Sequence, residues 1–252
     1  MNSATVRNLL VRGMLAGLAA GLLALVVAYF LGEPNVDKAI GFEEAHAHEH
    51  EMEIVSRGLQ STAGLATGVL VYGVAFGGIA ALAYCFALGR VGRFGPRATA
   101  LLLSGCALLA VYVVPFLKYP ANPPAVGNAD TIGKRTTLYF LMMVLSVLLA
   151  VATTILGKRL APRLGNWYAT VAAVAAFALL IGLAFAFLPV VNEVPQNFPA
   201  TVLWRFRLSA LAIQITLWGA FGLAFGELAE RQLNPKPAKA AAPPAITAAS
   251  PR

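Results

Sequence analysis

Ionisable side chains are scarce in this chain. Asp, Glu, Lys and Arg make up 12% of its 252 residues, about half the roughly 25% of a soluble domain. Hydrophobic residues make up 59%, and the mean hydropathy is +0.73. So few charges cannot cover a water-soluble fold, which points to an integral membrane protein. Cysteine is nearly absent. Cys85 and Cys106 each lie within an apolar run and form no CxxC pair, so they read as buried, inert thiols. A nucleotide loop is missing too. Gly127 to Gly133 encloses five residues and Arg135 follows Lys134, whereas a phosphate-binding loop needs four residues and a Ser or Thr at those places. No catalytic constellation is visible, and an enzyme is not expected. The net charge is +8, but the basic residues flank apolar runs, so they orient a chain in a bilayer rather than bind nucleic acid.

What is abundant is long apolar runs. Six spans of about 20 residues are expected, at about 9–31, 63–88, 98–117, 138–156, 168–188 and 208–225. The first is too long for a signal-peptide core and no clean cleavage site follows, so it reads as a retained span. Gly32-Glu33-Pro34-Asn35 is expected to end it, and Pro115 to break the third. The sixth helix is expected to begin either at Leu208 or earlier, near Pro199. Trp204, Arg205 and Arg207 then sit at the membrane interface. Gly89 to Arg97 and Gly157 to Arg163 read as short basic turns. Gly13, Gly17 and Gly21, spaced by four, predict a face on which another helix packs backbone to backbone. Residues 234–252, rich in Ala and Pro, read as a disordered tail.

The charges set the orientation. With six spans and a cytoplasmic N-terminus, 12 of the 19 basic residues are cytoplasmic, including Arg90, Arg93, Arg97, Lys158, Arg159 and Arg163 in the two short turns. Nine of the 11 acids fall on the other side. This obeys the positive-inside rule. The expected fold is therefore an all-α six-helix transmembrane bundle with both termini cytoplasmic.

Loop 32–60 then faces outward. All three histidines, His46, His48 and His50, lie within five consecutive positions of it, among Glu43, Glu44, Glu49, Glu51 and Glu53. In an extended chain the three imidazoles share one side; in a helix Glu43, His46, His50 and Glu53 share a face. Either arrangement suits divalent metal capture by His46, His48, His50, Glu43, Glu49 and Glu53. Imidazole serves Zn, Cu, Ni, Fe and Co alike, so the loop by itself does not choose the ion. Lys118 and Asn122, in the proline-rich loop 118–137, are candidates for an outer vestibule or pore. Asn192 and Glu193 in loop 189–203, and Gln214 within the sixth span, join them. No Asp, Glu, Lys, Arg or His lies at the centre of any span, which argues against an autonomous proton-driven pump. The neutral polar groups there read mainly as interhelical hydrogen-bonding residues.

The Gly-rich first span, the run His46-Ala47-His48-Glu49-His50, the stretch Val114 to Pro124 and the stretch Asn192 to Arg207 together resemble CbtA, the probable cobalt transporter subunit, over about residues 8–230. The resemblance implies uptake of cobalt(II) for cobalamin synthesis, in the inner membrane, alongside a small one-span CbtB-like partner. Nickel or another divalent ion stays open, as does homo-oligomerisation. No permanently bound cofactor and no nucleotide is expected. The family is described with five spans, which would put one terminus on the wrong side for the charge pattern; six are therefore expected. The leading expectation is a divalent-metal uptake subunit that captures the ion outside and passes it between glycine-faced helices. The alternative is a non-transporting metal-sensing or scaffold subunit.

Overall fold

The structure, a computed structural model, describes residues 1–46 and 55–235, and of His46 the backbone only. Among these residues there is no strand. The helices are α1 (Ser3–Val27), α2 (Glu33–His46), a single turn α3 (Arg57–Leu59), α4 (Leu65–Ala87), α5 (Pro96–Ala107), α6 (Val114–Lys118), α7 (Ile132–Phe187) and α8 (Ala200–Leu233). Wide π turns join several of these into continuous rods. Five rods are long and apolar enough to cross a membrane: Ser3–Ala45, Arg57–Ala87, Pro96–Lys118, Ala129–Phe187 and Ala200–Leu233.

The difference from six lies in α7. Its 56 residues are interrupted at Gly165, whose φ of 76° is a conformation open mainly to glycine. In an unbroken helix Met142 and Ile181 would stand about 58 Å apart; here they share one buried cluster with Val114 and Tyr119. Gly157 also faces Ala173 across a gap that a Cβ would close to 3.0 Å. The rod is thus a hairpin of two arms, 132–164 and 166–187. The expected basic turn at Gly157–Arg163 is helical instead. Gly157 is used for close approach between the arms, and the reversal falls two residues beyond Arg163.

Two prolines behave unlike the expectation drawn from them. The first helix does not stop at Gly32–Asn35; it continues through Pro34 into α2, so much of loop 32–60 is helical. Pro115 likewise sits inside a continuous rod. Each follows a π turn by two residues, Ala28–Gly32 and Leu108–Val113. There Glu33 N–H donates to Ala28 O and Val114 N–H to Leu109 O, five residues back. The widened turn relaxes the ring in which a proline would clash and lacks a donor. At the other end of the chain, α8 begins at Ala200, with Pro199 as its N-cap, which settles the two expected starts in favour of the earlier.

The core forms where α1, α4, α5 and α8 meet. Gly13 and Gly17 press on Gly77 and Gly73: a Cβ on Gly17 would meet the Gly73 carbonyl and lie 2.9 Å from Gly77 Cα. The backbone-to-backbone packing expected of the glycine repeat is present. At Gly13, Gly17, Gly73 and Gly77 the contact is too tight for a methyl group and leaves no room for a metal ion. Alongside it, Trp218, Phe221 and Phe225 of α8 stack against Phe76 and Tyr84 of α4. Phe76 and Trp218 meet edge to face with centroids 4.0 Å apart, and Tyr84 and Phe225 at 5.0 Å. Arg12 spans α1 to α8 by donating to Leu228 O at 2.8 Å.

Candidate functional site

Asn122, Asn192 and Glu193 gather at one end of the bundle, where three connecting segments meet. The first is α2. Ala39, fully buried, packs with Val126 of the proline-rich connector and Phe198 of the connector before α8. Phe42 meets Phe198 edge to face at 5.0 Å. Lower on α2, Asn35 Nδ2 donates to Leu31 O at 2.8 Å and to Ser209 Oγ at 3.0 Å. Ser209 Oγ lies 2.7 Å from Leu31 O. This apolar and polar footing fixes α2 to α8 and to both connectors.

The first two turns of α2 are tied to the start of the next rod by Arg57. Its guanidinium pairs with the Glu33 carboxylate and reaches Asp37 Oδ1 at 2.8 Å. One cation thus closes both carboxylates of the first two turns of α2. Glu43 and Glu44 are exposed further along that helix. The helix extends to His46, three residues beyond Glu43. His48, Glu49, His50 and Glu53 lie outside the described residues. Among the described residues, no three His, Cys, Asp or Glu side chains converge as a metal-holding group.

Beside α2's footing, sharing Val126 and Val194 with it, lies a cavity of about 400 Å³, lined by Tyr119, Asn122, Arg135, Asn192, Glu193 and Arg207 among others. Three of the five vestibule candidates, Asn122, Asn192 and Glu193, therefore share one space. Asn122 Oδ1 accepts from Arg207 Nη2 at 3.1 Å. Glu193 Oε2 accepts from Asn128 N–H at 2.8 Å and stands 3.3 Å from Arg135 Nε. The hydroxyl of Thr131, the Asn128 amide and the charge of Arg135 hold the Glu193 carboxyl below the usual carboxylate range.

Lys118 and Gln214 belong elsewhere. Lys118 Nζ donates to Phe185 O at 2.7 Å, where a cation suits the carbonyl end of α7. Gln214 Oε1 accepts from Trp218 Nε1 at 3.2 Å, one turn along α8, and is not a wall of this cavity. The sequence reading missed Arg57, Arg135 and Ser209 as organising groups, and took Arg207 for an interfacial anchor. The signal for Arg207 was its place beside the Trp204-Arg205 pair. Nothing local told that its head turns inward to Asn122 and Ala121.

The arrangement gives a multi-helix apolar bundle with an acidic helix that ends at His46 seated at one end, beside a cavity lined by Arg135, Glu193 and Arg207. The chain matches no curated protein and no solved structure. A family model described as "Probable cobalt transporter subunit (CbtA)" matches residues 6–230, nearly the full length, and this multi-pass membrane protein belongs to that family.

Proposed function

We propose that the chain is the membrane-embedded subunit of a cobalt(II) uptake system, and that it collects the ion on the outer face of the inner membrane. His46, His48 and His50 with Glu43, Glu49 and Glu53 are the collecting groups. The observation that carries this reading is the mounting of α2. Ala39 and Phe42 seat it on Val126 and Phe198, so the segment leading to the histidines is built onto the connector end of the bundle. Family membership supports cobalt as the cargo. The acidic side chains favour a divalent cation electrostatically.

In this reading the two arms of α7 are separate crossings, giving six, with both termini cytoplasmic. The hairpin at Gly165 supports that count. It leaves Arg90, Arg93 and Arg97 on the same side as Lys158, Arg159 and Arg163, as the positive-inside rule asks. The word "subunit" in the family description supports a partner, and a small one-span protein with its own histidines fits the role. The membrane potential drives entry, at roughly 2.3 kcal/mol per charge per 100 mV. The cobalt serves cobalamin synthesis.

Uptake of radioactive cobalt by cells expressing the chain with its partner tests the reading. Replacing His46, His48 and His50 together with Ala lowers uptake at limiting cobalt and leaves uptake at saturating cobalt near normal. Unchanged uptake at limiting cobalt removes the capture role. Intact metal binding with no uptake under any condition points to a sensing or scaffold subunit instead.

A further inference from the structure

The cavity beside Val126 and Val194 carries more positive than negative charge, which is the wrong balance for a bare metal cation. Arg135 and Arg207 line it against one carboxylate, Glu193. That carboxylate is already committed to the Asn128 amide and to Arg135. Arg207 donates to two neutral acceptors, Ala121 O at 3.3 Å and Asn122 Oδ1 at 3.1 Å. Among the described residues no carboxylate lies within ion-pair distance of it. A guanidinium offers five N–H donors, so Arg207 keeps donors to spare. Arg135 Nε is buried without an aligned hydrogen bond despite its nearness to Glu193. A half-buried arginine that faces a cavity and pairs with no carboxylate among the described residues is an incomplete ion pair.

We propose that this cavity binds a phosphate-class oxyanion, held by the fork of Arg207 with Arg135 at its side. Guanidinium and phosphate match in charge and in two-point geometry. The rest of the lining suits such a guest: Thr136, Tyr139 and Asn192 supply hydroxyl and amide groups. Two sources present this chemistry, free phosphate and the phosphodiester of a membrane lipid. The borders favour the lipid. Ile132 and Phe140 line the same cavity and are 62% and 55% exposed, an apolar flank along which acyl chains can lie. The site is independent of the histidine segment, so it stands or falls apart from cobalt capture.

The test uses the full chain, purified in a maltoside detergent that contains no phosphate. Inorganic phosphate and a short-chain phosphatidylglycerol are each titrated while the melting temperature is followed, and native mass spectrometry counts retained phospholipid. The wild type gains thermal stability with at least one of the two probes. Arg207→Gln weakens that binding about tenfold or more, as loss of a charge-assisted pair requires. Arg207→Lys, which keeps the charge and loses the fork, falls between, while Arg163→Gln in the opposite basic segment binds as wild type. Stabilisation by phosphatidylglycerol alone identifies the lipid, by phosphate alone the soluble anion, and by both a headgroup site open to either. Binding of neither probe overturns the proposal. So does equal binding by wild type and Arg207→Gln or, if that variant does not fold, by wild type and Arg207→Lys.

Discussion

Phe42 and Phe198 meet edge to face, their ring centroids 5.0 Å apart and their planes at 70°. They are separated by most of the chain, yet this contact joins the acidic helix to the connector that leads into α8. An edge-to-face pair contributes about 0.5–1.5 kcal/mol beyond its buried area. Phe198→Ala therefore lowers the melting temperature of the purified chain. Under the proposed capture role, it also lowers cobalt uptake most at limiting ion. Ala39→Phe, which forces a ring into a fully buried position, acts in the same direction by overpacking, at about 1–3 kcal/mol.

The glycines divide into two kinds that a thermal melt separates. Gly17→Ala puts a Cβ against the Gly73 carbonyl and 2.9 Å from Gly77 Cα, so the α1–α4 contact must open. The expected result is a clear loss of stability and of folded yield. Gly219→Ala meets nothing within 4 Å. It leaves stability unchanged or raises it, since alanine favours a helix over glycine by up to about 1 kcal/mol. Equal behaviour of the two variants would contradict the close packing described here.

Arg57 pairs with two carboxylates of unequal exposure. Glu33 is 14% exposed and Asp37 61%. Exposed pairs contribute about 0.2–1 kcal/mol, so Asp37→Asn sits within that range. Glu33→Gln costs more, and a double-mutant cycle with Arg57→Gln assigns the larger coupling to Glu33. High salt reduces the Asp37 coupling first, because solvent ions reach it.

Glu193 gives the connector end a pH dependence. Its carboxyl is held below the ordinary value of 4.5 by the Thr131 hydroxyl, the Asn128 amide and the charge of Arg135. A carboxyl depressed in the folded state contributes stability that is fully present above its unfolded value. That stability is lost as pH falls through the folded one. Melting temperatures of the wild type should therefore drop more steeply below pH 4.5 than those of Glu193→Gln. Between neutral pH and the ordinary carboxylate range the two curves run parallel.

Much of the fold was legible because membrane spans announce themselves locally, in runs of apolar residues. The spacing of Gly13, Gly17 and Gly21 likewise foretold a backbone contact, though not that Gly73 and Gly77 would receive it. Proline misled twice. Its local rule is to end a helix, and the π turns that let Pro34 and Pro115 stay inside leave no mark in the residues around them. Gly157 misled in the opposite sense, looking like a turn while serving an interface. Of the site, Asn122, Asn192 and Glu193 were legible as polar residues in loops between apolar spans. Arg135 was not, because its pairing with Glu193 depends on the first turn of α7 meeting the connector before α8, and no short stretch of sequence records that.

The π turn at Ala28–Gly32 amounts to one residue more than an α-helical turn would hold. That surplus residue sets the angular phase of everything beyond it, by about 100° at 3.6 residues per turn. Wound as plain α-helix, the same residues would carry Ala39 and Phe42 about 100° past Val126 and Phe198. Deleting a single residue between 28 and 32 would leave an unbroken helix of nearly the same length and composition. Because the π turn absorbs the surplus residue, that deletion would keep the seating face of α2 in phase, whereas one residue inserted between Glu33 and Ala39 would turn it aside.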